Sequence, residues 1–335
     1  MRLEAVAKLG WEARCLDPET GWLWLLTKGE RRHVMTGPLA AVNSASASRL
    51  ASDKHHSATV LADAGIRVPA GTRCLRLDAF LGQPGQPDRF ASQRGIESAE
   101  RFVAGRGYPV VVKPNRGSQG RFVQVVDRAE TLREAVEGAW TMDTLALVQE
   151  LVPGLDLRVD VLDGELLVAY LRRPFSLVGD GHSSVRELLA AVEARARIPA
   201  FMAKLGRDPL WRQTLDAAGL DEDTVAPAGL ALEFAASILN LNRCCTAEVH
   251  TQLPTAWVSH AAHVARLIGL RHAGVDFRVP AGCDPLSMDP TRAVVLEVNA
   301  SPSVTQISRM GAVEFESARQ AEHRVVEAAL AGPLS

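Results

Sequence analysis

Val294-Val295-Leu296-Glu297-Val298-Asn299-Ala300-Ser301-Pro302 is the stretch on which the reading of this chain turns. It opens with an apolar, β-branched run, the mark of a strand buried on both faces. Glu297 and Asn299 interrupt the run at i and i+2, so both side chains project from one face. Ala300-Ser301-Pro302 then ends the strand in a turn. A carboxylate and an amide oxygen side by side at a buried strand end are costly unless something holds them. A hard cation such as Mg²⁺ suits them, because it takes one or two carboxylates and fills its octahedron with water and phosphate oxygens. Upstream, Gly274-Val275-Asp276-Phe277-Arg278-Val279 reads as a second apolar strand carrying one carboxylate. Were the two strands antiparallel neighbours, Asp276, Glu297 and Asn299 would converge on one site. The alternative is a surface hairpin with solvated acids.

At 335 residues the chain suits two or three packed lobes rather than one simple core. It is 47% hydrophobic and 23% charged, near the average of globular proteins, and its net charge of −2 offers no general attraction to nucleic acid or anionic membrane. No apolar run approaches the roughly 20 residues that span a bilayer. Glu4, Lys8 and Glu12 break the opening segment, so it lacks a signal core. Five cysteines without a CxxC spacing argue against a disulfide framework and a zinc site. These features predict a cytoplasmic, mixed α/β enzyme.

Along the chain, residues 1–45 read as a small opening unit with a strand at Gly21–Leu26 and a turn at Gly29-Glu30. Such a unit must pack on the remainder or on a second subunit, which points to a homodimer. Ser44 to Ala64 reads as one helix, and Ser98 as the cap of another reaching Gly105. Residues 82–95 are rich in Gly, Pro and Gln and read as a loop. Val110-Val111-Val112-Lys113-Pro114, a glycine-rich turn and Phe122–Val126 form a hairpin, so this is neither a P-loop nor a Rossmann fingerprint. Leu145–Glu150 is a strand leading into a connector, and Leu157–Leu162 and Leu166–Leu171 flank an Asp163-Gly164 turn signal. Helices are expected over 184–198, 256–270 and 313–331, with a looser stretch over 206–230 and a short apolar element over 230–241.

A lysine ending a buried strand, a glycine-rich hairpin beside it and three oxygen donors near the C-terminus need one explanation. Lysine is a point charge for phosphate oxygens, glycines let backbone N–H groups close around them, and a metal bridges and neutralises them. In this order and at lobe-sized spacings the three features point to an ATP site between two lobes. His55-His56 read as a solvated helix face, and His260 and His263 as surface residues, lacking the Glu of a zinc-protease motif. Ser301 and Ser303 read as turn caps, and the scattered Trp residues as core anchors.

The order Lys54, VVVKPNRGSQG, QELVPGLDLRVDVLDGEL, GVDF and LEVNASPS resembles the ATP-grasp superfamily of carboxylate–amine ligases. The likeness is to the ATP-grasp modules of cyanophycin synthetases and bifunctional glutathione-synthesising enzymes, and Arg172-Arg173-Pro174 with Val178–Leu189 adds a sub-signature. It covers about residues 44–310 and implies an α/β (α+β) ATP-grasp fold. Two lobes, 46–148 and 149–335, would hold ATP between antiparallel sheets, behind a reduced N-terminal unit over 1–45. The resemblance implies that Lys54 and Lys113 bind the α- and β-phosphates. Gly117, Ser118, Gln119 and Gly120 would form a flap over the γ-phosphate, and Gln149, Glu150 and Val152 would meet adenine, with Glu150 placed for ribose or base amino contacts. Asp276, Glu297 and Asn299 would hold two Mg²⁺ ions, with Mn²⁺ an alternative. Arg158 and Arg173 would stabilise transferred phosphate or a substrate carboxylate, with Asn299 serving both metal and phosphate.

The implied reaction joins a small-molecule carboxylate, activated as an acyl phosphate, to the amine of an amino acid or small peptide. The competing readings are a catalytically silent nucleotide-binding regulator and an ATP-dependent phosphotransferase. The chain departs from the family in its short opening domain and in lacking a second ligase domain before Ser335, which implies a stand-alone module. Leu157 stands where the relatives carry histidine, and Asn240-Leu241-Asn242-Arg243-Cys244-Cys245 stands where they carry NLSTGG. Loss of two glycines removes close backbone approach and points to a different substrate.

Overall fold

The computed structural model describes residues 1–37, 42–79, 88–195, 209–234, 241 and 245–331. The chain opens with helix α1 (Arg2–Lys8) and an antiparallel meander of β1 (Glu12–Cys15), β2 (Leu23–Lys28) and β3 (Arg31–Thr36). The expected hairpin is β2–β3; α1 and β1 were not legible in the pattern. Val6, Trp11, Leu26 and Met35 of this unit share a core with Val326 and Leu330 of the chain's final helix. The opening unit therefore does pack on the remainder of the same chain.

The single helix expected over 44–64 is two, α2 (Ala45–Ser52) and α3 (Lys54–Asp63). Asp53 leaves the helical region (φ −99°, ψ 98°) and its carboxylate accepts from the His56 N–H, so an N-cap restarts the helix. Ala47, Ala51 and Leu61 bury into the core of the larger sheet described below, not of the smaller sheet that follows them in the chain.

The smaller sheet is built from β4 (Gly71–Leu75), β5 (Val110–Pro114), β6 (Gln124–Val126) and β7 (Leu145–Glu150), ordered β4-β7-β5-β6, with every pairing antiparallel. Helices α4 (Glu97–Arg106) and α5 (Ala129–Trp140) supply Val103, Leu132, Ala135 and Val136 to its core. Ser98 is not the cap of α4: it lies inside the first turn and donates its hydroxyl to Arg73 O at 2.8 Å. The strand expected from Phe122 begins at Gln124, because Phe122 is left-handed (φ 55°) and cannot continue a ladder. Of the loop expected over 82–95, residues 82–87 lie outside the described residues, and Ala91–Gln93 form a short 3₁₀ turn.

The larger sheet begins with β8 (Leu155–Leu162) and β9 (Glu165–Pro174), joined through Asp163 and Gly164, both left-handed (φ 51° and 90°), as the Asp-Gly signal predicts. A separate unit follows, made of β10 (Ser176–Val178), α6 (Val185–Arg195), α7 (Pro209–Ala217) and β11 (Ala231–Glu233), with its own core of Phe175, Trp211, Leu232 and Phe234. Helix α7 falls where a loose stretch was expected; Trp211 and Leu215, at i and i+4, put its apolar face into that core. Of the apolar element expected over 230–241 only Ala231–Glu233 is a described strand. Asn240, Asn242, Arg243 and Cys244 lie outside the described residues.

The sheet is completed by β12 (Cys245–His250), β13 (His272–Val279) and β14 (Val294–Asn299), giving the antiparallel order β12-β9-β8-β13-β14. Helix α8 (Thr255–Ile268) covers one face with Trp257, Ala261, Val264 and Ile268, and ends at left-handed Gly269 (φ 83°). The final helix is α9 (Ala312–Ala331). Among the described residues no helix is long and apolar enough to cross a membrane.

His272, at the start of β13, is buried, and Asn43 brackets its backbone, accepting from its N–H and donating to its C=O. Burial, with Arg158 and Arg2 nearby, lowers its pKa from 6.5 to about 4. The unfolded chain therefore takes up this proton first as pH falls. The neutral side chain's contribution is fully present above about 6.5 and lost by about 4. Urea unfolding between pH 7 and 4 should show roughly 3 kcal/mol of acid destabilisation from this group, and His272→Gln should flatten that part of the profile.

Candidate active site

A cavity of about 460 Å³ lies between the two sheets. Its lining includes Lys54 from the start of α3; Lys113, Gly117–Gly120, Gln149, Glu150 and Val152 from the smaller sheet's side; and Arg158, Asp276, Glu297 and Asn299 from the larger. Strand register brings the last group together. Asp276 stands opposite Glu297 across β13–β14 and opposite Arg158 across β13–β8, while Gly274 stands opposite Asn299 and Asp160. Directly opposed residues share a sheet face, so the two acids and the amide lie on one side. The ladder slips between Asp276 and Phe277, leaving Leu296 unpaired, and both Leu296 and Glu297 reach the cavity.

Arg158 is the buried centre of this face. Its Nε donates to Asp160 at 2.6 Å and its Nη1 to Asp276 at 2.6 Å, while Arg172 Nη2 donates to the other Asp276 oxygen at 2.7 Å. Burial would push the Asp276 carboxyl up, but Arg158 and Arg172 together overcome it and hold the pKa below the usual range. Asp276 is therefore a carboxylate. Burial dominates at Asp160 and raises its pKa despite Arg158. Asn299 donates its Nδ2 to Asp276 at 3.1 Å, which leaves its Oδ1 as the acceptor.

Between the two walls, Lys54 opens α3 and its Nζ donates to Gly117 O at 2.9 Å and lies 3.3 Å from Glu297 Oε1. Lys113 lies on β5; burial lowers its pKa to about 8, with Glu297 pulling the other way and Lys54 adding to the drop. The flap between β5 and β6 is held in left-handed backbone at Gln119 (φ 62°), Gly120 (φ 66°) and Phe122 (φ 55°).

The two sheets thus bring nearly all the expected residues together, with one departure. Arg173 does not line the cavity: it alternates to the far face of β9, is exposed, and pairs with Glu248 Oε2 at 3.0 Å. Its neighbour Arg172 takes the inner position. Glu150 borders the cavity as expected, and its carboxylate is already engaged by protein, accepting from the Ala70 N–H at 2.8 Å and pairing with Arg106. Sequence reasoning also missed Asp156, Tyr170 and Arg278 on the cavity wall. Asp156, two residues before Arg158 on the same strand, could have been found by alternation. Tyr170 could not, because unbroken alternation through the turn selects Ala169, Leu171 and Arg173, and only the register shift between Asp160 and Val161 turns Tyr170 and Arg172 inward.

The donor set is chemically suited to a hard divalent cation: two carboxylates and an amide oxygen on one face. Among the described residues no group of three or more His, Cys, Asp or Glu side chains gathers around a metal position. The remaining ligands would have to be water and phosphate oxygens, the habit of Mg²⁺.

The fold and this charged cleft belong to one class. The family described as D-ala D-ala ligase C-terminus matches residues 87–174. The fold is similar to that of a bifunctional glutathione synthetase from Pasteurella multocida, with a TM-score of 0.61 and 21% identity, over 95% of this chain and 42% of that one. By sequence the chain is 30% identical over 264 residues to the cyanophycin synthetase of Nostoc sp. (strain PCC 7120 / SAG 25.82 / UTEX 2576), which covers 76% of this chain and 26% of that protein. It is 24% identical over 298 residues to the glutathione biosynthesis bifunctional protein GshAB of Streptococcus thermophilus (strain CNRZ 1066), covering 86% of this chain and 37% of the relative. The chain thus spans about a quarter to two fifths of these proteins' length. The likenesses agree on the ATP-grasp ligases, and the mixed α/β fold with antiparallel sheets is the fold of that class.

The guanidinium of Arg158 lies against Gly274, where an added Cβ would stand 2.3 Å from Nη2 and 2.4 Å from Nε. Two carboxylates fix that guanidinium, so it cannot step aside. Gly274→Ala should therefore destabilise the fold by about 1–3 kcal/mol in urea unfolding. Gly105→Ala, in α4 with nothing within 4 Å of the new methyl, should be neutral or slightly stabilising.

Proposed function

We propose that the chain is an ATP- and Mg²⁺-dependent carboxylate–amine ligase acting on an amino acid or small peptide. The carrying observation is the meeting, in one cavity, of Lys54 and Lys113, the glycine flap and the Asp276/Glu297/Asn299 face. The kinship with cyanophycin and glutathione enzymes supports amide formation. In the proposed reaction a substrate carboxylate oxygen attacks the γ-phosphorus of ATP and ADP leaves. The amine then attacks the acyl carbon, phosphate departs, and the amine proton is released. A free carboxylate is a poor acyl donor because its leaving group would be oxide; phosphate removes that obstacle.

Such transfers need positioning and charge neutralisation more than a protein nucleophile. Lys54 and Lys113 hold phosphate oxygens, and the flap's backbone closes over the terminal phosphate. Gln149 and the main chain at Glu150 and Val152 meet adenine. Arg158, with Arg172 in the place expected of Arg173, faces the transferred phosphate and the substrate carboxylate. Asp276, Glu297 and the Asn299 oxygen hold the cation, two Mg²⁺ ions with Mn²⁺ as a substitute. When bound, Mg²⁺ neutralises phosphate charge. We read residues 1–45 as the reduced opening unit, with the site between the parts 46–148 and 149–335.

The test is ADP release from ATP and Mg²⁺ with pooled amino acids and dipeptides, followed by product mass, with Glu297→Ala alongside. A product lighter by one water than two pool members, absent in the variant, is the expected result. A product carrying an added phosphate would replace the ligase by a phosphotransferase. Absence of ATP binding would sink the proposal.

Lys113 adds a pH signature. Its pKa of about 8 in the free protein means it is charged below that pH and neutral above it, and a polyphosphate favours the charged form. ATP affinity should be level below pH 8 and fall as pH rises through it, by up to about tenfold per unit until the bound-state pKa is passed. Lys113→Arg should remove this dependence in equilibrium binding.

A further inference from the structure

Both carboxylates proposed to hold the cation are already engaged by donors of this chain, and the engagements differ in how readily they can be released. Asp276 is held by two guanidinium groups and an amide, all on neighbouring strands of one sheet. Glu297 is held by one ammonium at 3.3 Å, that of Lys54 at the start of α3, a helix packed beside β14. That same ammonium donates to the flap carbonyl of Gly117 at 2.9 Å, and the side chain is only 11% exposed. The Lys54 backbone N–H donates to Asn115 O at 3.3 Å, so the base of the residue is fixed where the flap begins. The ammonium cannot leave for solvent without abandoning both partners. A phosphate oxygen is an equivalent partner that could draw it away.

We infer that Lys54 is a displaceable counter-ion that closes Glu297 to divalent cations until a polyphosphate takes the ammonium. This rests on the reading of Glu297 as a cation ligand and adds an order to it. A dication at Glu297 would lie beside a fixed positive charge, so each excludes the other. Once the ammonium has moved to phosphate, that repulsion is gone and the flap carbonyl of Gly117 is released in the same event. Because coupling is reciprocal, the cation strengthens nucleotide binding by the same factor.

The test measures Mn²⁺ retained with the protein on ultrafiltration, with and without the non-hydrolysable β,γ-imido analogue of ATP. Wild type should retain Mn²⁺ at least about tenfold more tightly with the analogue than without it. Lys54→Met should bind Mn²⁺ without any nucleotide at least about tenfold more tightly than wild type does, a gain that misfolding would not produce. Lys54→Arg, which keeps the charge, should remain like wild type. Glu297→Gln should lose the analogue-dependent retention. Nucleotide-free affinity unchanged in Lys54→Met, with Glu297→Gln still impaired, would overturn the role of Lys54 and leave the metal site standing. If wild type retained no Mn²⁺ even with the analogue, the metal reading itself would fall, and this inference with it.

Discussion

The Asp276 carboxylate, gripped by the guanidinium groups of Arg158 and Arg172, is the constraint on which the rest of the structure depends. Removing three charges from water is expensive, and only good geometry offsets it. The required geometry explains the register of the sheet. Arg158 can reach Asp276 only if β8 and β13 pair as they do, and Arg172 reaches Asp276 only from the inner face of β9. A slip of one residue would put every one of these groups on the other face, so the charged cluster and the apolar core beneath it specify the same alignment. Gly274 completes the arrangement by leaving the space in which the guanidinium lies.

The two walls of the cleft divide the chemistry. The larger sheet holds its charges in fixed, mutually satisfied pairs. The smaller sheet contributes the Lys113 ammonium and a flap whose backbone is unusual, and Lys54, at the start of α3, reaches that flap. A left-handed conformation at non-glycine residues carries a strain of about 1–3 kcal/mol each, and Gln119 and Phe122 both adopt it. Neither belongs to a ladder that would hold it there. The wall with preset charge suits recognition of the transferred group, and the wall with adjustable contacts suits closing on phosphates.

Much of this was written in the sequence, and what was not has physical reasons. The alternation in β14 and the single acid in β13 gave the Asp276–Glu297–Asn299 face, because period two is rigid in a strand. The Asp163-Gly164 turn likewise announced the hairpin of β8 and β9. The same rule, carried through that turn, selects Arg173 for the Arg158 face; the register shift between Asp160 and Val161 gives that place to Arg172, and a bulge leaves no mark in the alternation of these two strands. The partners of Glu150, Ala70 and Arg106, were not legible because they approach from segments far away in sequence. The break at Asp53 was hidden by continuous helical periodicity on both sides, although Asp is a strong N-cap. The placement of α2 and α3 against the larger sheet is tertiary packing, which local pattern does not encode.

The depressed pKa of Lys113 connects these levels. Burial alone would lower the pKa of this half-buried ammonium further, but Glu297 across the cleft partly restores it. Lys54 acts in the opposite sense on Lys113 while pairing directly with that same glutamate. One carboxylate thus serves two ammonium groups, and neither lysine is fully neutralised by the protein. In the function proposed above, a polyphosphate would supply negative charge to both. The carboxylates of the larger sheet are paired within it, whereas Lys54 and Lys113 share Glu297, and that imbalance is the electrostatic reason to expect an anionic ligand against them.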